Sequence, residues 1–188
     1  NTLGVKDIMN VTPDFLEEQF DCVFNDIFPD ALKIGMVSET ELIHTIVKKL
    51  KQYHARHIVV DPVMVSTSGS RLIEDSALDA LKYELIPLSE IITPNIPEAE
   101  VLTGKKIKSK EDMIRAAQDI RQWYQGDILI KGGHFEDRAD DLLYHNNEKI
   151  WLECEHIDNP NTHGTGCTLS SAIASHLASG YDMITSVR

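Results

Sequence analysis

Gly164, Thr165 and Gly166 lead into CTLSSAIASHLA, a run of small and apolar residues, and Cys167 stands at the junction. Glycines permit positive-φ turns and let a ligand approach the backbone closely. A helix start leaves N–H groups without intrahelical partners and carries partial positive charge, so this turn can act as an anion hole for a phosphoryl group. The same residues also suit a tight helix-packing turn. No Gly-Lys-Ser or Gly-Lys-Thr follows, and the spacing is not GxGxxG, so neither common phosphate loop is present. Cys167 admits several chemistries. A helix terminus favours a thiolate, which can be a nucleophile with His163 as its base. It can instead be a general base that takes a proton from a substrate hydroxyl. Plain packing is the bland alternative, and no partner at ligand spacing argues for a metal.

Four more residues stand at the ends of strand-like runs. Asp61 ends HIVVD, Asn95 and Glu98 sit in TPNIPEAE, and Lys131 ends DILIK. A carboxylate pair, Asp61 and Glu98, can hold a divalent cation directly or through water. Lys131 can meet a phosphate as a point charge. Each has a structural alternative: a turn cap for Asp61, a complement to the helix dipole for Glu98, a snorkelling side chain for Lys131. Together they describe one site: a carboxylate pair for a cation, a lysine and an anion hole.

The elements that must position these residues alternate between strand and helix patterns, which predicts βαβ units and a mainly parallel sheet. TPDFLEEQFDCVFND reads as a helix capped by Thr12, with Pro13 at its first position and Phe15, Leu16, Phe20, Val23 and Phe24 on one face. ALKIGMV (31–37), HIVVDPVMV (57–65), EIITPN and DILIKGGH read as strands. SETELIHTIVKKLKQY reads as a helix with a capping box from Ser38 to Glu41. DSALDALKYELIPL reads as one helix, PEAEVLTG starts another at Pro97, and SKEDMIRAAQDIRQWY is capped by Ser109. DDLLYHNNEKIWLE reads as a hairpin turning at Asn146-Asn147. The last helix begins near Gly166. In such sheets, ligands bind beyond the carboxyl ends of the strands, which is where KIGM, VVDPVM, IITPN and LIKGG lie.

The formal net charge of −12 disfavours nucleic acid and acidic membranes as partners, so positive potential for an anionic substrate must be supplied locally. Cys22, Cys154 and Cys167 are odd in number and widely spaced, which argues against a disulfide framework or a structural zinc site and fits a reducing cytosol. No apolar run approaches the ~18 residues of a membrane span. His44, His54 and His57 read as surface residues, His134 and His163 show no ligand spacing, and Trp123 and Trp151 read as packing. No repeat or linker divides the chain, so residues 1–188 read as a single domain. It opens at Asn1 and stops at Arg188 directly after a helical run, and both ends read as internal to a longer protein.

KIGM, DPVM, ITPNIPEA, IKGGH and THGTGCTLSSAIA, in this order along essentially the whole chain, resemble the hydroxymethylpyrimidine and phosphomethylpyrimidine kinases of thiamine biosynthesis, within the ribokinase-like superfamily. The resemblance implies an α/β fold with a central, mostly parallel sheet and helices on both faces, a three-layer αβα arrangement. It implies transfer of the ATP γ-phosphoryl to 4-amino-5-hydroxymethyl-2-methylpyrimidine and then to the monophosphate, with Mg²⁺, in the cytoplasm. Gly164, Thr165 and Gly166 match the anion hole. Cys167 matches a position held by a catalytic aspartate in most of the superfamily and by cysteine in this branch. Lys131 matches the phosphate-contacting lysine, joined on the ATP side by Thr165 and Asn95. Asp61 and Glu98 match the Mg²⁺ region; Gly35, Met36 and Val63, with Cys167, match the wall of the pyrimidine pocket. The resemblance leaves room for a homodimer. A glycine-rich segment of the family is expected upstream of Asn1, and helices of its adenine side after Arg188.

Pyridoxal or pyridoxine kinase of the same superfamily is the nearest rival, sharing GxGCT. A Cys167–His163 hydrolase would leave Lys131, Asp61 and Glu98 without a task. A metabolite-binding protein without catalysis is a third class.

Overall fold

The computed structural model describes residues 7, 9–64, 73–133, 139–153 and 164–188; His134, Cys154 and His163 lie outside them. The helices are α1 (Pro13–Asp26), α2 (Thr40–Gln52), α3 (Asp75–Ala80), α4 (Ile96–Thr103), α5 (Lys110–Arg121), α6 (Thr165–Ala178) and α7 (Met183–Val187). The strands are β1 (Leu32–Ile34), β2 (Ile58–Val60), β3 (Ile91–Ile92), β4 (Asp127–Ile130), β5 (Asp141–His145) and β6 (Glu148–Leu152). They form one sheet in sequential order, β1 to β4 parallel and β4, β5 and β6 antiparallel.

Sequential parallel order puts every crossover helix on the same face, because such crossovers are right-handed. Ile34, Val60, Ile92, Ile128 and Ile130 accordingly pack with α2, α3, α4 and α5. The alternate residues Val59, Ile91, Leu129 and Leu143 point the other way, onto α6 and α7. The expected layering of helices on both faces is therefore present. The β5–β6 hairpin turns at Asn146 and Asn147, whose φ values of 48° and 65° are those of the expected turn.

Helix starts follow their sequence signals in most cases. Thr12 Oγ1 accepts from Phe15 N at 3.3 Å, and Ser109 Oγ accepts from Asp112 N at 3.2 Å. α1 lies outside α2, held partly by charge: Lys49 Nζ donates to Asp21 Oδ1 at 2.7 Å and Tyr53 Oη donates to it at 2.6 Å. Those bonds, the lysine's foremost, hold the Asp21 carboxyl below its usual range. Of the expected apolar face of α1, Phe24 is buried and Leu16 and Phe20 pack on the core, but Phe15 and Val23 remain about half exposed.

Two expectations are corrected. The box from Ser38 to Glu41 does not form: α2 starts at Thr40 from an extended Glu39 that makes no side-chain cap. The Glu39 carboxylate is instead bound by Asn10 Nδ2 at 2.6 Å. The run after Glu74 is not one regular helix. It widens to a π turn over Leu81–Leu85, where Ile86 N–H reaches back to Leu81 O, and tightens to a 3₁₀ turn over Ile86–Leu88. Pro87 has no N–H to continue an α-helical ladder, and the change of winding lets the adjacent Leu85 and Ile86 both be buried.

α4 begins at the carboxyl end of β3 with a complete capping box. Asn95 Oδ1 accepts from Glu98 N at 2.9 Å, and Glu98 Oε2 accepts from Asn95 N at 2.8 Å. Glu98 is only 2% exposed. Burial pushes its pKa up to about 7, against the pull of the Asn95 N–H and Lys131. A carboxyl with a raised folded-state pKa holds its proton more tightly folded than unfolded. Stability is therefore full below the unfolded value and is lost as pH rises towards 7. Glu98→Gln keeps the capping partner and removes the ionisation. Urea denaturation at pH 5 and pH 8 should show a flatter pH dependence in the variant, by on the order of 3 kcal/mol. Parallel curves for the two proteins would contradict this account of Glu98.

Candidate active site

The alternation that buries Val59, Ile91 and Leu129 beneath α6 carries one step further along each strand. Two residues on, the same face presents Asp61, Thr93 and Lys131, and on β1 it presents Lys33, next to the inward-facing Ile34. The backbone ladder continues past the strands: Asp61 N donates to Ile34 O at 2.9 Å, Thr93 N to Val60 O at 3.0 Å, and Lys131 N to Pro94 O at 2.9 Å. Strand pairing thus fixes the separation of these four side chains before any of them interacts.

Asp61 is the centre of the group, at 2% exposure. Its Oδ1 accepts from Lys131 Nζ at 3.1 Å and from Thr93 Oγ1 at 3.2 Å. Its Oδ2 faces Lys33 Nζ at 3.8 Å, an ion pair longer than a hydrogen bond, and Ser170 Oγ at 3.4 Å. Ser170 has one hydroxyl proton, shared with the Gly166 carbonyl at 2.9 Å, so its hold on Asp61 is the weaker one.

Gly164 caps α6 with φ 86°, the left-handed conformation that glycine adopts without strain. The first turn, Thr165, Gly166 and Cys167, then faces the ion pair. A Cβ on Gly166 would lie 3.0 Å from Lys131 Nζ and 3.8 Å from Asp61 Oδ2. The missing side chain lets the Lys131 ammonium come close to the start of α6. Cys167, one residue on, is an exposed free thiol. Asn95 is bridged in parallel to Lys131, so the α4 cap and the lysine are neighbours.

Lys131, Asp61, Asn95, Glu98, Gly164, Thr165, Gly166 and Cys167 thus converge on one end of the sheet. In Asn95 the side-chain oxygen serves the cap. Gly35, Met36 and Val63 follow β1 and β2 at that end, and Met36 is 38% exposed. The sequence reading did not single out Lys33, Thr93 or Ser170. Lys33 had a signal, a lysine inside the otherwise apolar ALKIGMV, and Ser170 stands one helical turn after Gly166; Thr93 had none. A cleft of about 490 Å³ lined by Phe28, Tyr53, Arg56, His57 and Leu177 lies elsewhere and contains none of these residues. Among the described residues, no group of three or more His, Cys, Asp or Glu is arranged to hold a metal by itself, and no helix is long and apolar enough to cross a membrane.

Known proteins share this arrangement of sequence and fold. The phosphomethylpyrimidine kinase family matches residues 1–188. The thiamine biosynthesis bifunctional protein ThiED of Geobacter sulfurreducens is 44% identical over 181 residues; the match takes in 96% of this chain, which spans 37% of that longer protein. A crystal structure of phosphomethylpyrimidine kinase from Clostridium difficile 630 superposes with a TM-score of 0.87 at 44% identity, covering 100% of this chain and 77% of that one. A pyridoxal kinase from Staphylococcus aureus, solved in complex with AMP-PCP, superposes with a TM-score of 0.88 at 32% identity, covering 96% of this chain and 66% of that one. With its α/β architecture and the match along its whole length, the chain belongs to the phosphomethylpyrimidine kinase family of ribokinase-like small-molecule kinases.

Proposed function

We propose that this chain carries the kinase domain of an enzyme that transfers the ATP γ-phosphoryl to 4-amino-5-hydroxymethyl-2-methylpyrimidine and then to its monophosphate, in thiamine biosynthesis. The observation that carries the reading is the meeting of Lys131, Asp61 and the glycine-flanked start of α6 at the carboxyl edge of the parallel sheet. Phosphoryl transfer asks a protein mainly for positioning and neutralisation of charge. On a chain of net charge −12, this cluster concentrates lysine ammonium groups and helix N–H groups in one place.

In this reading the γ-phosphoryl lies against the N–H groups of Thr165, Gly166 and Cys167, with Lys131 on its flank. The substrate hydroxyl oxygen attacks phosphorus, the bond to the β-phosphate oxygen breaks, and ADP leaves. The hydroxyl proton passes to Cys167 Sγ, which acts as base and alignment group. Gly35, Met36 and Val63 wall the pyrimidine ring. Mg²⁺ usually binds through one or two carboxylates plus phosphate oxygens and water, a donor set that Asp61 and Glu98 fit. The ion would neutralise charge on the phosphates, and Glu98 must release its proton to contribute. The reading places the enzyme in the cytoplasm and leaves room for a homodimer.

The likeness to pyridoxal kinases makes pyridoxal the competing acceptor. An ATP-coupled assay of the full-length protein on both alcohols should show turnover of the hydroxymethylpyrimidine; turnover of pyridoxal alone would reverse the assignment. Cys167→Ala should lower kcat by about 10²–10⁴-fold, the usual worth of a general base. Nucleotide affinity, measured by calorimetry, should stay within about threefold, because the N–H groups that meet the phosphate are backbone. An unchanged kcat would reduce Cys167 to packing.

A further inference from the structure

We propose that Lys33 is a second cation of the anion site, holding Asp61 from the oxygen opposite Lys131, and that residue 35 is glycine because the Lys33 ammonium occupies the space of its side chain. The proposal rests on the phosphoryl-transfer reading for its role in the reaction, and on geometry for its existence.

Lys33 lies within β1 with its side chain on the α6 face, and only 17% of that side chain is exposed. Its Nζ stands 3.8 Å from Asp61 Oδ2 while Lys131 Nζ stands 3.1 Å from Oδ1. Gly35 lies two residues on, on the same face. A Cβ there would come within 2.5 Å of Lys33 Nζ, closer than real contacts allow. Gly35 is not among the positive-φ glycines, so its backbone does not demand glycine. The atom that claims the side-chain space is the Lys33 ammonium, so a larger residue there would have to displace it.

Charge explains why an ammonium is kept there. Charges withdrawn from water are stabilised only when paired. Two ammonium groups share the Asp61 carboxylate, one at each oxygen. A phosphate or polyphosphate offers them a second anion, and the exposed start of α6 beside Gly166 is where it can enter. Lys33 thereby does two things. It stops Lys131 from being fully neutralised by Asp61, and it keeps Asp61 oriented when Lys131 turns towards the phosphate.

The test compares full-length wild type with Lys33→Met, Gly35→Ala and the double variant. The readouts are pyrophosphate binding by calorimetry, the KM for ATP and for the pyrimidine, and urea denaturation. Lys33→Met should weaken pyrophosphate and raise the ATP KM about tenfold, the scale of one charged contact, while the pyrimidine KM changes little. The clash at Gly35 falls on the far end of a flexible side chain, so Gly35→Ala should fold with near-normal stability and push Lys33 aside. It should reproduce most of the Lys33→Met loss. In the double variant Gly35→Ala should cost almost nothing more, the non-additivity expected of residues acting through one contact. Unchanged pyrophosphate binding in Lys33→Met overturns the proposal. So does a Gly35→Ala defect that appears in the pyrimidine KM and persists without Lys33, which would make Gly35 a wall of the substrate pocket only. If wild type binds pyrophosphate but phosphorylates neither alcohol, the kinase reading falls while Lys33 is still judged on pyrophosphate. If wild type does not bind pyrophosphate, the Lys33 proposal falls.

Discussion

A buried carboxylate at the end of β2 imposes the main constraint on this molecule. Taking Asp61 out of water is costly unless it is paired and hydrogen-bonded. The partners come from four different elements or their extensions: Lys33 from β1, Thr93 beyond β3, Lys131 beyond β4 and Ser170 from α6. Each must arrive on the correct face and at the correct height. The parallel register that aligns Ile34 with Val60 and Val60 with Ile92 meets that demand. A slip of one residue along any strand would turn its polar end residue into the α2–α5 core. Satisfying Asp61 and holding the sheet in register are therefore one requirement.

The same requirement explains why small residues gather here. Gly35 leaves room for one ammonium and Gly166 for the other. A third close approach is at Gly132, where a Cβ would lie 1.9 Å from the Asp140 carbonyl oxygen. The Gly132 N–H donates to Asp141 Oδ1 at 2.8 Å, tying the chain after Lys131 to β5. These glycines let backbone and charged groups approach at distances that any side chain would prevent.

Glu98 shows how one residue can answer both a local and a distant demand. Its capping bond to Asn95 is local and would form in many helices. Its burial among Asp61, Lys131 and the Met64 N–H is tertiary, and that burial brings its titration to neutrality. Glu98 stands in the first turn of α4, where the helix-dipole reading placed it, and closes the capping box besides.

What was legible in the sequence is what neighbouring residues decide among themselves. Thr12 and Ser109 cap their helices and Asn146-Asn147 turn a hairpin, because each such interaction spans only a few residues. The strand ends carrying Asp61 and Lys131 were legible too, since polar residues that terminate apolar runs stand out. The box at Ser38 is absent because α2 starts at Thr40, which makes Glu39 and not Ser38 the N-cap. The helix after Glu74 lost its regular winding to Pro87 and to core packing. Lys33 hid inside a strand that otherwise looked like core. The site depends on contacts of another kind: Lys131 meets Asp61 across 70 residues of sequence, and Ser170 meets it across 109. Local propensity carries no record of such pairs. Residue types and short-range order thus follow from the sequence, whereas which charges share a carboxylate is decided only when sheet register and helix placement close those long loops.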